Sequence, residues 1–392
     1  MRARGGAALA VTVALLSGCG GTPILANPPL SFPSPEVTPS QPPRPPDPIP
    51  LAFPRDDGPH DRLTEWWYYT GHLRTAEGRR FGFEAVVFRA ERSAVPTAWA
   101  SHLALTDEAN DRFHYAQRSE IGPHVDRSPV GDDGVPTGFD LQVSGLSPTL
   151  VAAGAPPAAA PWRLAGSDGV DRIEAALAPA EAGAARAQFG LRLDVRSVAD
   201  LTRHDGDGFV DFGPAGSSYY YSRMRMQAAG TLALDGQELD VTGTAWFDHQ
   251  WGDFVSVGGG WDWFAVNLDD GTNLTLSVVR DAEGQPVLEY GSLQQGGPAA
   301  TPSKNLDPGA FTVESIGSWT SPHTGRTWPS GWRIALEEGL EIELRPTVLD
   351  QELDTRATTG VAYWEGSQVV RATRDGKAIG GEAYVELTRY TE

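Results

Sequence analysis

An acid and an imidazole set between two indoles, in Trp246-Phe247-Asp248-His249-Gln250-Trp251, make the segment of this 392-residue chain best equipped for chemistry. A carboxyl walled by indoles is driven towards its neutral form by burial and can then lend a proton near neutral pH. The adjoining imidazole can position or deprotonate a water. Aromatic faces supply a third element, attraction for a carbocation. Asp248 and His249 are therefore the first candidates for catalysis.

Two more aromatic concentrations, Glu65-Trp66-Trp67-Tyr68 and Trp261-Asp262-Trp263, bring the tally in these segments to six of the twelve tryptophans. Glu65, Trp66, Trp67, Tyr220, Trp246, Trp251, Trp261 and Trp263 are expected to line a pocket for a large apolar ligand, with Asp262 as a further catalytic candidate. The ordinary alternative is core filling, with Asp248 and Glu65 accepting indole N–H groups. Strand geometry adds a constraint. Neighbours at i and i+1 point to opposite faces, so Asp248 and His249 share a site only if their strand is bulged or ends there, whereas His249 and Trp251 share a face freely.

The elements that must position these residues read as strands. Apolar residues recur with period two in Phe81-Gly82-Phe83-Glu84-Ala85-Val86-Val87-Phe88, Phe139-Asp140-Leu141-Gln142-Val143 and Phe189-Gly190-Leu191-Arg192-Leu193-Asp194-Val195. Asp235-Gly236, Asp270-Gly271 and Asp375-Gly376 mark hairpins with turns of the type I′ kind. Helical periodicity is hard to find; the Ala-rich stretch from Arg172 to Ala185 is interrupted by Pro179 and Gly183. The chain is expected to be all-β and antiparallel, with Val151 to Pro161 as a surface loop. Barrel and sandwich both fit this pattern. The length after residue 54 suggests two domains, 55–252 and 253–392, crossing near Val257-Gly258-Gly259-Gly260.

Arg2 and Arg4 followed by the apolar run Ala7 to Leu16 read as an export signal. Leu16-Ser17-Gly18-Cys19 resembles a bacterial lipoprotein cleavage box, and Cys19 is the single cysteine. Residues 1–19 are thus expected to be a signal peptide, with Cys19 lipidated and Gly20 implying the outer membrane of a bacterial envelope. Residues 20–54, rich in proline, are expected to be a semi-rigid spacer. A net charge of −20 argues against nucleic-acid partners and limits membrane contact to the anchor. No His-Glu-x-x-His run, paired cysteines, phosphate loop or Gly-x-Ser-x-Gly elbow occurs, and Asp205-Gly206-Asp207-Gly208 lacks the other ligands of a calcium loop, so neither metal nor cofactor is expected.

Taken in order, Glu65-Trp66-Trp67-Tyr68, His102 to Asp107, Ser218-Tyr219-Tyr220-Tyr221-Ser222, Gly243 to Gly252, Trp261-Asp262-Trp263, Gln351-Glu352, Tyr363-Trp364-Glu365-Gly366 and Gly381 to Thr388 make the chain similar to the hydroxyneurosporene synthase (carotenoid 1,2-hydratase) family and its AttH-type lipocalin-like relatives. The resemblance spans residues 60 to 390. It implies two lipocalin-like antiparallel β-barrel domains side by side, with aromatics near their junction. It also implies a long apolar ligand, isoprenoid or polyketide-like, that is hydrated or cyclised without a cofactor. The other activity it implies is non-catalytic, a lipoprotein carrier handing lipid-like ligands to an envelope ABC transporter.

Overall fold

The computed structural model describes residues 46–92, 95–145, 160–254, 259–296, 302–337 and 339–389. The leader, Cys19, the proline-rich segment up to residue 45 and most of the 151–161 loop lie outside the described residues.

In chain order the first strands are β1 (Thr64–Arg74), β2 (Arg80–Arg92), β3 (Val95–Asp107), β4 (Arg112–Ile121), β5 (Phe139–Val143), β6 (Trp162–Ser167), β7 (Val170–Ala176), β8 (Phe189–Ser197), β9 (Thr202–Arg203), β10 (Phe209–Asp211), β11 (Gly216–Leu234) and β12 (Gln237–Phe254). Beyond these come β13 (Gly260–Leu268), β14 (Thr272–Arg280), β15 (Pro286–Gln295), β16 (Lys304–Leu306), β17 (Phe311–Ser315), β18 (Ser318–Thr320), β19 (Thr327–Pro329), β20 (Trp332–Leu336), β21 (Leu340–Pro346), β22 (Glu352–Asp354), β23 (Ala362–Arg374), β24 (Lys377–Ile379) and β25 (Gly381–Arg389).

The first sheet runs β4-β3-β2-β1-β12-β11-β8-β7-β6-β5, and the second β16-β15-β14-β13-β25-β23-β21-β20-β17. Each curls into a nearly closed antiparallel barrel, which resolves the choice between barrel and sandwich. The edges β4 and β5 of the first barrel are spanned by Arg118, which donates to Val143 O at 3.3 Å and pairs with Glu181 at 2.7 Å. Glu181 belongs to a short helix, Pro179–Ala185, in which Pro179 occupies the first turn. Proline therefore starts this helix, where its missing N–H is harmless, and does not interrupt one. All three Asp-Gly pairs sit in hairpins. Asp235 and Asp375 take positive φ as a type I′ turn requires, whereas at Asp270-Gly271 only the glycine does.

Period-two alternation fills each barrel with one face of its strands. Trp67, Tyr69, Phe81, Phe83, Leu103, Phe247 and Trp251 belong to the first core, and Phe264, Val266, Leu276, Ile334, Trp364 and Val385 to the second. Large side chains occupy both interiors, and the cavity between the barrels lies outside these two cores.

The spacer expected through residue 54 ends sooner. Ile49, Leu51 and Phe53 pack on the first core, Asp47 pairs with Arg62 at 2.6 Å, and Ile49 N–H donates to the Tyr219 hydroxyl at 2.6 Å. The reason is visible in Ile49-Pro50-Leu51-Ala52-Phe53, a period-two apolar pattern among the prolines. Beneath this strap, Asp57 accepts from Tyr221 at 2.6 Å and Arg223 at 2.9 Å, a buried ion pair at the barrel end.

Candidate functional site

The outer faces of β1, β2, β3, β11 and β12 turn towards β13, β14, β15, β23 and β25 of the other barrel. Between them lies a cavity of about 590 Å³. Its walls carry Trp66, Tyr68, Phe88, Trp261, Trp263 and Tyr290, and five acidic residues, Glu84, Asp211, Asp248, Asp281 and Glu386, line it as well. Side-chain hydrogen bonds cross the seam: Tyr68 donates to Glu365 at 2.6 Å, Thr106 to Gln351 at 2.7 Å, Arg225 to Asn273 at 2.8 Å, and His102 Nδ1 lies 2.7 Å from the Tyr363 hydroxyl.

Alternation decides which sequence candidates meet there. On β12, Asp248 faces the cavity and His249 the first barrel's interior. The register is regular on both flanks at this point, Tyr68↔Asp248 and Trp67↔His249 on one side, Ser222↔Asp248 and Tyr221↔His249 on the other. The irregularity in this ladder falls between Arg223 and Met226 on β11, so no bulge brings the acid and the imidazole together. Trp66, Tyr220, Trp261 and Trp263 stand on the cavity wall with Asp248. Trp246 sits behind it, its indole N–H 2.6 Å from Asp248 Oδ1 and its ring edge-on to Trp263.

Glu65, Trp67, His249 and Trp251 are elsewhere, inside the first barrel. His60 Nδ1 and His249 Nε2 lie 2.7 and 3.0 Å from the same Glu65 oxygen, and His60 stacks on Trp251 at 3.8 Å. Burial alone would raise the Glu65 pKa, but the charge on His60 and the two imidazole contacts bring it down to about 2. His60, Glu65 and His249 bring ligand-type atoms within 4.8 Å of one another, the residues among those described that could hold a metal ion, and they would do so only by giving up these hydrogen bonds. Asp262 points into the second barrel, opposite Trp261 and Trp263, where Arg280 at 2.6 Å and Arg389 bind its oxygens. An ion-paired carboxylate held there cannot act on a guest between the barrels, which corrects its candidacy.

Asp248 is enclosed by three donors: Trp246 and Ser222 reach Oδ1, and Tyr220 reaches Oδ2 at 2.5 Å. Because Ser222 gives its proton to Asp248, His204 Nε2, 2.7 Å away, must be the protonated nitrogen, and Nδ1 accepts from Ser292. Burial raises the Asp248 pKa to about 6 against the pull of these donors. Burial likewise takes Glu386 up to about 7, with Thr388 and Trp261 both bonded to its Oε1. Glu84 rises to about 8 through burial and the nearby Glu386, although Tyr363 donates to it at 2.7 Å. Glu365 is raised well above the ordinary carboxyl range by burial and by Glu84 and Glu386, and His102 and His204 are held neutral by burial.

Glu84, Glu365, Glu386 and His204 were not expected from single-residue reasoning. One signal existed: Glu84 interrupts a strand that is apolar on both faces, and a buried charge inside such a run is expensive unless it has a task.

These shifts give a stability prediction. Carboxyls whose folded pKa lies above the unfolded value of about 4.5 stabilise fully below that value and lose the contribution as pH rises through the folded one. Glu84, Glu386 and Asp248, together with Asp171 at about 7 in the first barrel, all have this sign. Above about pH 6.5, where the buried neutral His102 and His204 no longer act in the opposite sense, thermal melting should fall towards pH 8, and Glu84→Gln should flatten that slope. A melting temperature that climbs over this range would contradict the burial described.

A model of the AttH-like family matches residues 43–390. The chain belongs to the AttH-like family. Among solved structures, an AttH-type protein from Nitrosomonas europaea is 30% identical at a TM-score of 0.68, over 88% of this chain and 98% of that one. Kievitone hydratase from Nectria haematococca shares the fold at 14% identity and a TM-score of 0.60, over 87% of this chain and 94% of its own. CghA does so at 13% identity and a TM-score of 0.52, over 94% and 97%. No curated protein sequence matches this AttH-like chain.

Proposed function

We propose that this AttH-like protein binds an extended apolar molecule, isoprenoid or polyketide-like, between its barrels and adds water to it or cyclises it without a cofactor. The observation that carries the reading is Glu386. It is a half-buried carboxyl whose pKa desolvation raises to about 7, bonded by protein donors at Oε1, on the wall of an aromatic-lined cavity. Glu386 gives its proton to one carbon of a double bond. The positive charge then develops on the other carbon against Trp66, Trp261 and Trp263. A water oxygen adds to that carbon, and its proton returns to the Glu386 carboxylate, so the sum is one alkene plus one water. Ring closure by a second double bond, followed by loss of a proton to the same carboxylate, is the cyclase variant.

The hydratase and the other structures of this architecture agree with such chemistry through the fold alone. Carotenoid hydration in particular is one member of the class proposed. Action from a lipid anchor at Cys19, on the envelope's periplasmic face, fits the sequence and belongs to the same proposal.

A carrier without chemistry, serving an envelope ABC transporter, is the second reading. Asp248 favours it, because three donors occupying both oxygens hold a carboxylate still and do not offer a proton. Incubating the protein with a panel of polyenes in water labelled with heavy oxygen separates the two. A product heavier by one labelled water identifies a hydratase, and an unlabelled isomer a cyclase. Quenching of tryptophan fluorescence with no product at all would leave the carrier.

A further inference from the structure

The cavity gathers acids and supplies them no cation. Glu84, Glu365 and Asp248 are buried and Glu386 is partly so, and repulsion among the acids helps Glu84 and Glu365 to keep their protons. Among the described residues their hydrogen-bond donors are hydroxyls and indoles: Tyr363 for Glu84, Tyr68 for Glu365, Trp261 and Thr388 for Glu386, and Ser222, Tyr220 and Trp246 for Asp248. The arginines in the cavity wall are engaged elsewhere, Arg280 with Asp262 and Arg92 with the carbonyls of Leu63 and Glu91. The imidazoles of His102 and His204 are neutral. Glu84, part of the cavity wall and almost wholly buried, has one carboxyl oxygen, Oε2, with no hydrogen-bond partner, and Oε2 of Glu365 is in the same condition.

A buried acceptor without a donor is rare in a folded chain and calls for an occupant. The surroundings describe one. Stacked Trp66 and Trp261, 6.4 Å apart between ring centres, together with Trp263 and Tyr68, present aromatic surface beside acids, the combination that recognises organic ammonium groups. Phe88, Val279 and Leu288 add apolar wall that suits a chain.

We propose that the ligand of this cavity is a cationic amphiphile, an extended apolar chain bearing a protonated nitrogen whose N–H groups seat against Glu84. This rests on the cavity being the ligand site and names the class of molecule it takes. Surroundings that stabilise a transient carbocation also bind a permanent cation in its place.

Calorimetry of the full-length protein at pH 7 tests it with dodecylammonium below its micellar concentration, dodecanol and dodecanoate. The ammonium should bind at least about tenfold tighter than the alcohol, a difference of ~1.4 kcal/mol. It should also release protons, seen as a heat that depends on the buffer's ionisation enthalpy, because a bound cation pulls down the Glu84 pKa, which starts at about 8. Glu84→Gln should bring the ammonium towards the alcohol's affinity, and Glu314→Gln, on the exposed side of the second barrel, should keep the preference. Equal affinity for ammonium and alcohol, tighter binding of dodecanoate, or a preference that survives Glu84→Gln overturns the cationic ligand and leaves the cavity as a site. Failure of all three to bind overturns both.

Discussion

Replacing Glu386 with glutamine should lower turnover by about 10²–10⁴-fold, the usual contribution of a positioned general acid, while ligand still quenches tryptophan fluorescence. Glutamine keeps the size and the Oε1 acceptor that Trp261 and Thr388 use, but it has no proton to give. The pH profile carries a second signature. Proton donation requires Glu386 neutral, so activity should decline as pH rises past about 7. If the Asp248 carboxylate helps to hold the attacking water, activity should also decline below about 6, leaving a narrow bell. Asp248→Asn tests the division of labour. It should remove the acid limb with a smaller loss of rate; a loss matching that of Glu386→Gln would make Asp248 the proton donor after all.

The largest effect on stability is expected at the strapped end of the first barrel. Asp57→Ala strips Arg223 of its carboxylate partner while both positions stay out of water, and breaking a buried pair from one side costs about 3–5 kcal/mol. Melting should fall by roughly 10 °C. Removing the charge at both positions, Asp57→Asn with Arg223→Met, should recover part of the loss because no lone buried charge remains. Differential scanning calorimetry checks both variants, and a single variant melting within a degree or two of the native protein would show that water reaches the guanidinium.

The sequence revealed strands and pocket aromatics more readily than the pocket's whereabouts. Alternation identified the β class, and the expectation that Asp248 and His249 part company unless a bulge intervenes follows from the same rule. The partition of candidates then depends on which face of each strand meets the other barrel, and that is a tertiary fact. Trp66 and Trp67 are neighbours of one kind in the sequence; in the fold one lines the cavity and the other donates its N–H to Asp57 O at 3.0 Å inside the barrel. Glu84 and Glu386 come from strands some three hundred residues apart in the chain and converge only when the barrels dock, a pairing no local pattern encodes. Ile49, Leu51 and Phe53 were masked by the prolines around them, whose abundance suggested an extended spacer up to the barrel's edge.

Locating the guest chamber in the seam, outside the cores of both cylinders, has an evolutionary consequence. Substitutions that reshape the chamber alter neither hydrophobic filling, so new specificities can be explored while each cylinder keeps the contacts that let it fold. In a protein whose ligand sat inside the filling, every change of guest would also be a change of core, and fewer would survive.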